Sequence, residues 1–480
     1  MCFPILRFLC LVTALMAGHL IAGRSLTAAA DSLPSVSITG IPHVKQKPDF
    51  CGEACAEMWL KKRKATVDQD YVFDQSGLDP LLARGCYTKE LATALRKMGF
   101  QVGPVFTTVP VAQAEAGLNK AFAQLHADLV KGIPSIVCTH FDDQPGTTEH
   151  FRLVIGYDQQ TDEILYHDPA LDAGADLRMA RSMLLKLWPL KYAPDKWTLV
   201  RLRLDSSKLP VATAAAQGEF TQADYAQHIM QLKERLPHAG FAIVIQEPFV
   251  VIGDEKPKVV KQRSEQTVKW AVDKLKREYF SKDPTEIIDI WLFRDAPSYE
   301  EYTEKLTKDK PGTPFGFYSP TDKALFMNIS TGGGTLVHEI VHPFIASNFP
   351  DCPSWFNEGL ASLYEQSAER GGKIVGLTNW RLAGLQEAIG EESVPSFQTL
   401  CSTTTNEFYN RDTGTNYSQA RYLCYSLQER ALLTKYYQAF HKNVDTDPTG
   451  YETLKTVLGE DDMADFQKRW EAEVLKLEFR

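Results

Sequence analysis

Beyond residues 1–30 the chain has no apolar run of membrane-spanning length, and it holds no collagen-like, coiled-coil or array repeat and no phosphate-binding loop. Positive charge is also short. Lys and Arg number 52 against 61 Asp and Glu, a formal net charge of -9, which argues against binding nucleic acid through a broad basic surface. What is present is ordinary globular material: 44% hydrophobic and 24% charged residues in 480, enough for two or three domains with full cores.

The start, MCFPILRFLCLVTALMAGHLIAG, carries one arginine and then an apolar run from Phe8 that is interrupted at His19 and leads into small residues. It reads as a secretory signal peptide over 1–30, with cleavage near Ile21 to Gly23 or Ala28 to Ala30, because the run is short for a spanning helix. That predicts a secreted or periplasmic protein with no stable membrane span after signal removal. Of nine cysteines, Cys2 and Cys10 leave with the signal. With Cys51 a free thiol, Cys55, Cys86, Cys138, Cys352, Cys401 and Cys424 form an even set. Disulfides are then permitted in an oxidising compartment, with the pairing, or reduced structural thiols, left open.

The stretch Thr335 to Glu365 carries the sharpest chemistry. His338 and His342 stand four apart in an apolar-patterned segment, so on a helix their imidazoles lie one turn apart on one face and converge on one ion. Glu339 beside them faces a water at that ion without being a ligand, the HExxH zinc-peptidase pattern with glutamate as general base. Leu336, Val337, Ile340, Val341, Phe344 and Ile345 pack the helix, Gly332 to Gly334 precede it, and a second helix begins near Pro353. Glu358, sixteen residues beyond His342, completes a His, His, Glu set for Zn2+ and leaves a fourth position open. The bland alternative is a satisfied core histidine pair and a solvated glutamate.

Nearer the start, Cys51 precedes Gly52 at the head of a helix containing Ala54, Ala56, Met58, Trp59 and Leu60, where unpaired amides and the helix dipole lower a thiol pKa. Gln46 is placed as an oxyanion donor or a loop hydrogen-bonding group. Strands Phe151 to Gly156 and Glu163 to His167 bring His150, at the start of one, toward Asp168, at the end of the other. Cys51 is then the nucleophile, His150 the base, and Asp168 the group fixing its tautomer.

Gln46, Asp49-Phe50-Cys51-Gly52, His150-Phe151 and His167-Asp168-Pro169 resemble the papain-like C39 cysteine peptidases and their C39-like relatives. The resemblance implies the triad Cys51, His150, Asp168 and the oxyanion glutamine Gln46. It departs at Glu53, where the family often has proline. The later region resembles the gluzincin or MA-like zinc peptidases through Thr331-Gly332-Gly333-Gly334-Thr335, His338 to His342, and Trp355 to Ala361. That implies Glu358 as third ligand and Tyr417 in the oxyanion role of the aminopeptidase branch, with Tyr422 the lesser candidate and a buried anchor the plain alternative. The His342 to Glu358 separation is shorter than in the best-known gluzincins, and Pro343 follows the second histidine, predicting a kink or a water-bonded Glu339 carbonyl.

The fold expectation is α+β in two domains: a papain-like domain over 39–205, a small-residue linker over 206–219, and a gluzincin-like domain over 220–480. Helices are expected at Thr88 to Met98, Leu118 to Leu129, Gln222 to Leu236 and Ser264 to Phe280, and an extended run at Phe100 to Phe106. Strands are expected at Pro134 to Thr139, Trp197 to Leu204, Phe241 to Gln246, Phe249 to Ile252, Ile287 to Phe293 and Ala324 to Ile329, the last as an edge for substrate backbone. Sequons at Asn328 and Asn416 crowd the proposed site. Together these features imply an exported zinc-dependent peptidase acting on a peptide or protein, with a cysteine-peptidase-like domain in front. The alternatives are a non-catalytic peptide-binding or envelope-assembly protein, or a thiol peptidase with structural zinc.

Overall fold

The computed structural model describes residues 33–206, 220–410 and 414–479. The signal-peptide expectation, and the linker beyond Ser206, lie outside the described residues. The fold is mixed α+β, built on two larger sheets. Among the described residues no helix is long and apolar enough to cross a membrane.

The first sheet takes β1 (Val36–Ser37), β2 (Phe106–Pro110), β3 (Ser135–His140), β4 (Glu149–Asp158), β5 (Glu163–His167), β6 (Leu177–Ala180) and β7 (Lys196–Arg203), in the order β2-β7-β3-β4-β5-β6 with β1 against β4. Strand side chains alternate between faces, and here both faces are apolar. Ile136, Cys138, Phe151, Leu153 and Ile155 join one core with α1 (Cys51–Lys62), α2 (Gln69–Ser76) and α3 (Thr88–Lys97). Val137, Val154 and Tyr157 join the other with α4 (Ala114–Val130) and α5 (Arg181–Leu187). The expected extended run from Phe100 is a correction: only Gln101 bridges, to Asp205, and the strand begins at Phe106.

A second sheet follows α6 (Gln222–Arg235), a helix closed at its start by a Thr221–Asp224 capping box. Its strands are β8 (Ala242–Gln246), β9 (Phe249–Gly253), β10 (Ile288–Phe293), β11 (Gly316–Ser319) and β12 (Ala324–Asn328), ordered β11-β12-β10-β9-β8. Alternation again divides the strands: Val251, Ile290 and Leu292 face the large helical core, and Val250, Ile252, Trp291 and Phe293 face α6 and α9 (Ala296–Thr307). α6 is shared, with Ala223 and Ala226 in the core of the first sheet and Tyr225, Ile229 and Leu232 in that of the second.

Two expectations change here. The segment ending at Asn328 is an interior strand, paired in parallel with β10 and antiparallel with β11, so the open edge is the four-residue β11. The helix expected from Ser264 begins earlier, as α7 (Pro257–Arg263), passes through a π-helical Ser264–Lys269 and ends as α8 (Trp270–Glu278). Asn328 is 3% exposed and its side-chain amide donates to Pro314 O, which closes that sequon to a glycan.

Candidate functional site

α10 (Gly334–Asn348) presents the two histidines and Glu339. It begins on a glycine because a Cβ at Gly334 would stand 2.0 Å from Glu365 O, two residues past the end of the next helix α11 (Ser354–Leu363). Pro343 sits inside α10 without ending it; burial of Phe344 and Ile345 holds the last turns, and the Glu339 carbonyl simply has no amide below it. α11 then brings Asn357 and Glu358 back against the histidines.

His338, Glu339 and His342 each offer a ligand atom, all within 4.8 Å of one another. His338 Nε2 lies 3.2 Å from Glu358 Oε2, and His342 Nε2 lies 3.8 Å from both Glu358 Oε1 and Glu339 Oε2. Tetrahedral zinc with bonds of about 2.0–2.1 Å sets its ligand atoms about 3.3–3.4 Å apart, so this donor set fits zinc in chemistry and spread. Among the described residues Glu358 Oε2 is buried without a hydrogen bond, with His338 Nε2 as its charged neighbour at 3.2 Å. Glu339 Oε2 instead accepts from Tyr318 N on β11 at 3.0 Å, holding that carboxylate beside the two histidines.

His338, His342 and Glu358 each have a further partner. His342 Nδ1 is 3.0 Å from Asn357 Oδ1, leaving Nε2 to point inward. His338 Nδ1 approaches Glu365 Oε1 at 3.2 Å, and Glu365 is clamped by Arg381 at 2.8 and 3.0 Å and by Asn379 at 3.0 Å. Tyr409 donates to Glu358 Oε1 at 2.6 Å. Burial opposes charge on Glu358 and Glu365, yet the imidazole of His338, with Tyr409 for the first and Arg381 for the second, holds both at about 2. Burial likewise opposes charge on His338, and the same two carboxylates outweigh it and hold it well above the usual value. Burial raises Glu339, and Glu358 adds to the effect.

Of the two tyrosines, Tyr422 is structural: its hydroxyl accepts from Asn379 N at 3.1 Å and donates to Asn379 O at 3.3 Å. Tyr417, in the first turn of a helix over Thr415–Glu429, packs its ring on Phe408 and Tyr409, and among the described residues its hydroxyl makes no hydrogen bond. Sequence reasoning missed Tyr409, Glu365 and Arg381. Glu365 had a signal, seven residues and two turns beyond Glu358; Tyr409 had none. Tyr409→Phe and Glu365→Gln are each expected to weaken zinc binding about 10–100-fold, read by competition with a chromophoric chelator.

In the first domain, His150 Nε2 meets Asp168 Oδ1 at 2.8 Å, and Gln46 N donates to Pro169 O at 2.9 Å, which sets Gln46 beside the dyad. Cys51 opens α1 close to Phe151, the residue after His150, and among the described residues no hydrogen bond joins its thiol to the imidazole. The lowered thiol pKa expected from the helix start is corrected: burial pushes Cys51 up to about 12, with Glu53 and Asp49 adding, and outweighs the amides. All seven described cysteines are free thiols.

Glu53, the position at which the chain departs from the C39 resemblance, is fully buried, accepts from Cys86 N at 2.7 Å through Oε1 and leaves Oε2 unpartnered. Burial lifts it from 4.5 to about 7. A raised carboxyl favours folding fully below its unfolded value and loses that benefit as pH climbs through its folded one. Glu53→Gln is therefore expected to remove roughly 3 kcal/mol of the stability lost between about pH 5 and pH 8. Denaturation midpoints of both proteins at the two pH values measure it.

With this geometry in place, comparison shows that residues 38–191 match the Peptidase_C39 like family. The N-terminal domain is C39-like. The match gives it a papain-like cysteine peptidase fold and takes in none of the second sheet. Similar solved structures include the peptidase domain of Streptococcus ComA, a bi-functional ABC transporter involved in a quorum sensing pathway, at 13% identity over 34% of this chain and 98% of that one, TM-score 0.22. Xylellain, a cysteine protease from Xylella fastidiosa, is similar at 11% identity over 36% of this chain and 87% of that one, TM-score 0.26. The chain matches none of the curated proteins.

Proposed function

We propose that this chain is an exported peptide hydrolase whose main centre is the zinc site of α10 and α11, of the gluzincin type, with the C39-like domain in front of it. The convergence of His338, His342 and Glu358, each with its own outer partner, carries this reading. Bound zinc supplies Lewis acidity toward a carbonyl oxygen and lowers the pKa of water. Glu339, its affinity for protons increased by burial, takes a proton from the attacking water and delivers it to the leaving amine. Tyr318 N keeps that carboxylate aimed during the transfer. Tyr417 donates its free hydroxyl to the developing oxyanion. The open edge of β11, beside Glu339, offers backbone groups to an extended peptide. Export rests on the sequence of residues 1–30.

A second reading, peptide cleavage by Cys51, is favoured by the His150–Asp168 hydrogen bond and the family match. One experiment separates the two: a diverse peptide mixture is digested with the zinc-loaded mature protein, Cys51→Ala, Glu339→Gln and the double variant, and products are read by mass spectrometry. Loss with Glu339→Gln alone supports the zinc centre. Loss with Cys51→Ala alone overturns it, and two product sets establish two enzymes. No cleavage by the folded, zinc-loaded protein favours a peptide-binding role.

A further inference from the structure

Glu149 stands directly before His150 at the start of β4. Strand side chains alternate, so Glu149 and Phe151 leave the same face of the sheet, the one that carries α1. The register agrees. Cys138 on β3 pairs with Phe151 and lies in that same core, and Glu149 Oε2 is 4.0 Å from Cys138 Sγ. A Cβ on Gly52, the residue after Cys51, would stand 3.1 Å from the Phe151 ring, so the head of α1 lies level with Phe151. One strand step of about 7 Å, from Phe151 back to Glu149, then reaches beyond the head of the helix to the mouth of the thiol centre.

The carboxylate there is exposed and held in place, yet not neutralised. Tyr192 OH donates to Glu149 Oε2 at 2.8 Å, and among the described residues no lysine or arginine pairs with it. The cations of the neighbourhood are engaged elsewhere. Lys186 bonds Asp143 at 2.8 Å, Lys191 lies 5.1 Å from the Trp197 ring, and Arg152 is spent on Asp168, Thr139, His140 O and Phe141 O. Two exposed rings border this corner: Tyr192 on the carboxylate, and Phe141, whose ring centroid is 5.3 Å from that of His150. An unpaired carboxylate beside aromatic surfaces suits a side chain with a hydrocarbon stem and a cationic tip.

In peptide cleavage by a thiol the base hands its proton to the leaving amine, so substrate residues on the amine side of the bond pass His150. Glu149 is its chain neighbour. We propose that Glu149 is a specificity-determining residue of the thiol centre, selecting a lysine or arginine side chain within the two residues that follow the cleaved bond. This rests on the second reading above, in which Cys51 and His150 form the reactive pair. Tyr192 holds the carboxylate at the mouth of the cleft, and the exposed rings take the stem of the selected side chain.

The test has two arms, both on the full chain. In the first, Cys51 is modified by methanethiosulfonates carrying either a trimethylammonium or a sulfonate group, at low salt, and the rates are read on its own peptide by mass spectrometry. A carboxylate at the mouth favours the cation and repels the anion, so Glu149→Gln is expected to lower the cation-to-anion rate ratio about tenfold, with Glu149→Asp keeping most of it. An unchanged ratio in the glutamine variant overturns the proposal. Glu149 is exposed, so these substitutions leave the core alone. In the second arm, the peptide mixture is digested by Glu149→Gln and Glu149→Lys beside wild type and Cys51→Ala. Products that depend on Cys51 are expected to carry Lys or Arg in their first two positions, to lose that enrichment with glutamine, and to gain Asp or Glu there with lysine. Cys51-dependent products without the enrichment overturn the proposal. A shifted reagent ratio with no Cys51-dependent product refutes the second reading and keeps Glu149 as the selector of charge for a peptide held at Cys51.

Discussion

Glu339→Gln is expected to lower zinc-dependent peptide hydrolysis by about 10²–10⁴-fold with zinc content unchanged. The substitution is nearly isosteric, and the side-chain oxygen of glutamine still accepts from Tyr318 N, so β11 stays anchored to α10. What is lost is the ability to take a proton. Glu339 is 9% exposed, and burial with the nearby Glu358 raises its affinity for protons, the direction a general base needs near neutral pH. His338, His342 and Glu358 are untouched, so metal analysis separates a chemical defect from a binding one. A fall in kcat with KM and zinc retained supports the base role. Full activity in the variant would assign Glu339 to the structure of the pocket and move the chemistry elsewhere.

Trp355→Ala is expected to destabilise the protein by about 3–5 kcal/mol. Trp355 is wholly buried, lies against Phe356 and Tyr436 at 5.4 and 6.2 Å, and donates from Nε1 to Thr449 O at 3.0 Å. Truncation removes those contacts, leaves a cavity and strands a carbonyl acceptor. The residue stands two before Asn357 and three before Glu358, so α11 is pinned by its first turn. Urea midpoints of the zinc-free protein measure the loss without the contribution of metal. Trp355→Phe, which keeps most of the apolar contact, is expected to recover more than half of it. An alanine variant as stable as wild type would mean that α11 is held by its packing on the helix over Thr415–Glu429 alone.

Local pattern made much of this legible. Four-residue spacing placed His338 and His342 on one helix face because helical periodicity is a property of the chain itself. Strand alternation placed His150 and Asp168 at the facing ends of β4 and β5, since a short turn leaves two adjacent strands few ways to pair. Sheet order was not legible in the same way. β12 has the look of an edge strand only if the four residues of β11 go unnoticed, and a run that short has too little periodicity to register.

The sequence by itself determined which chemical groups this protein brings: a histidine pair with an adjacent glutamate, a later Glu358, and a cysteine, histidine and aspartate in the first domain. Local spacing also determined which of them share an element. Tertiary structure decided what each group does there. Tyr409 reaches Glu358 across 51 positions, Arg152 on β4 bonds the Asp168 carboxylate just past the end of β5, and burial reverses the helix-start effect on Cys51. Charge and desolvation depend on what surrounds a side chain in space, and only the packed fold sets those neighbours.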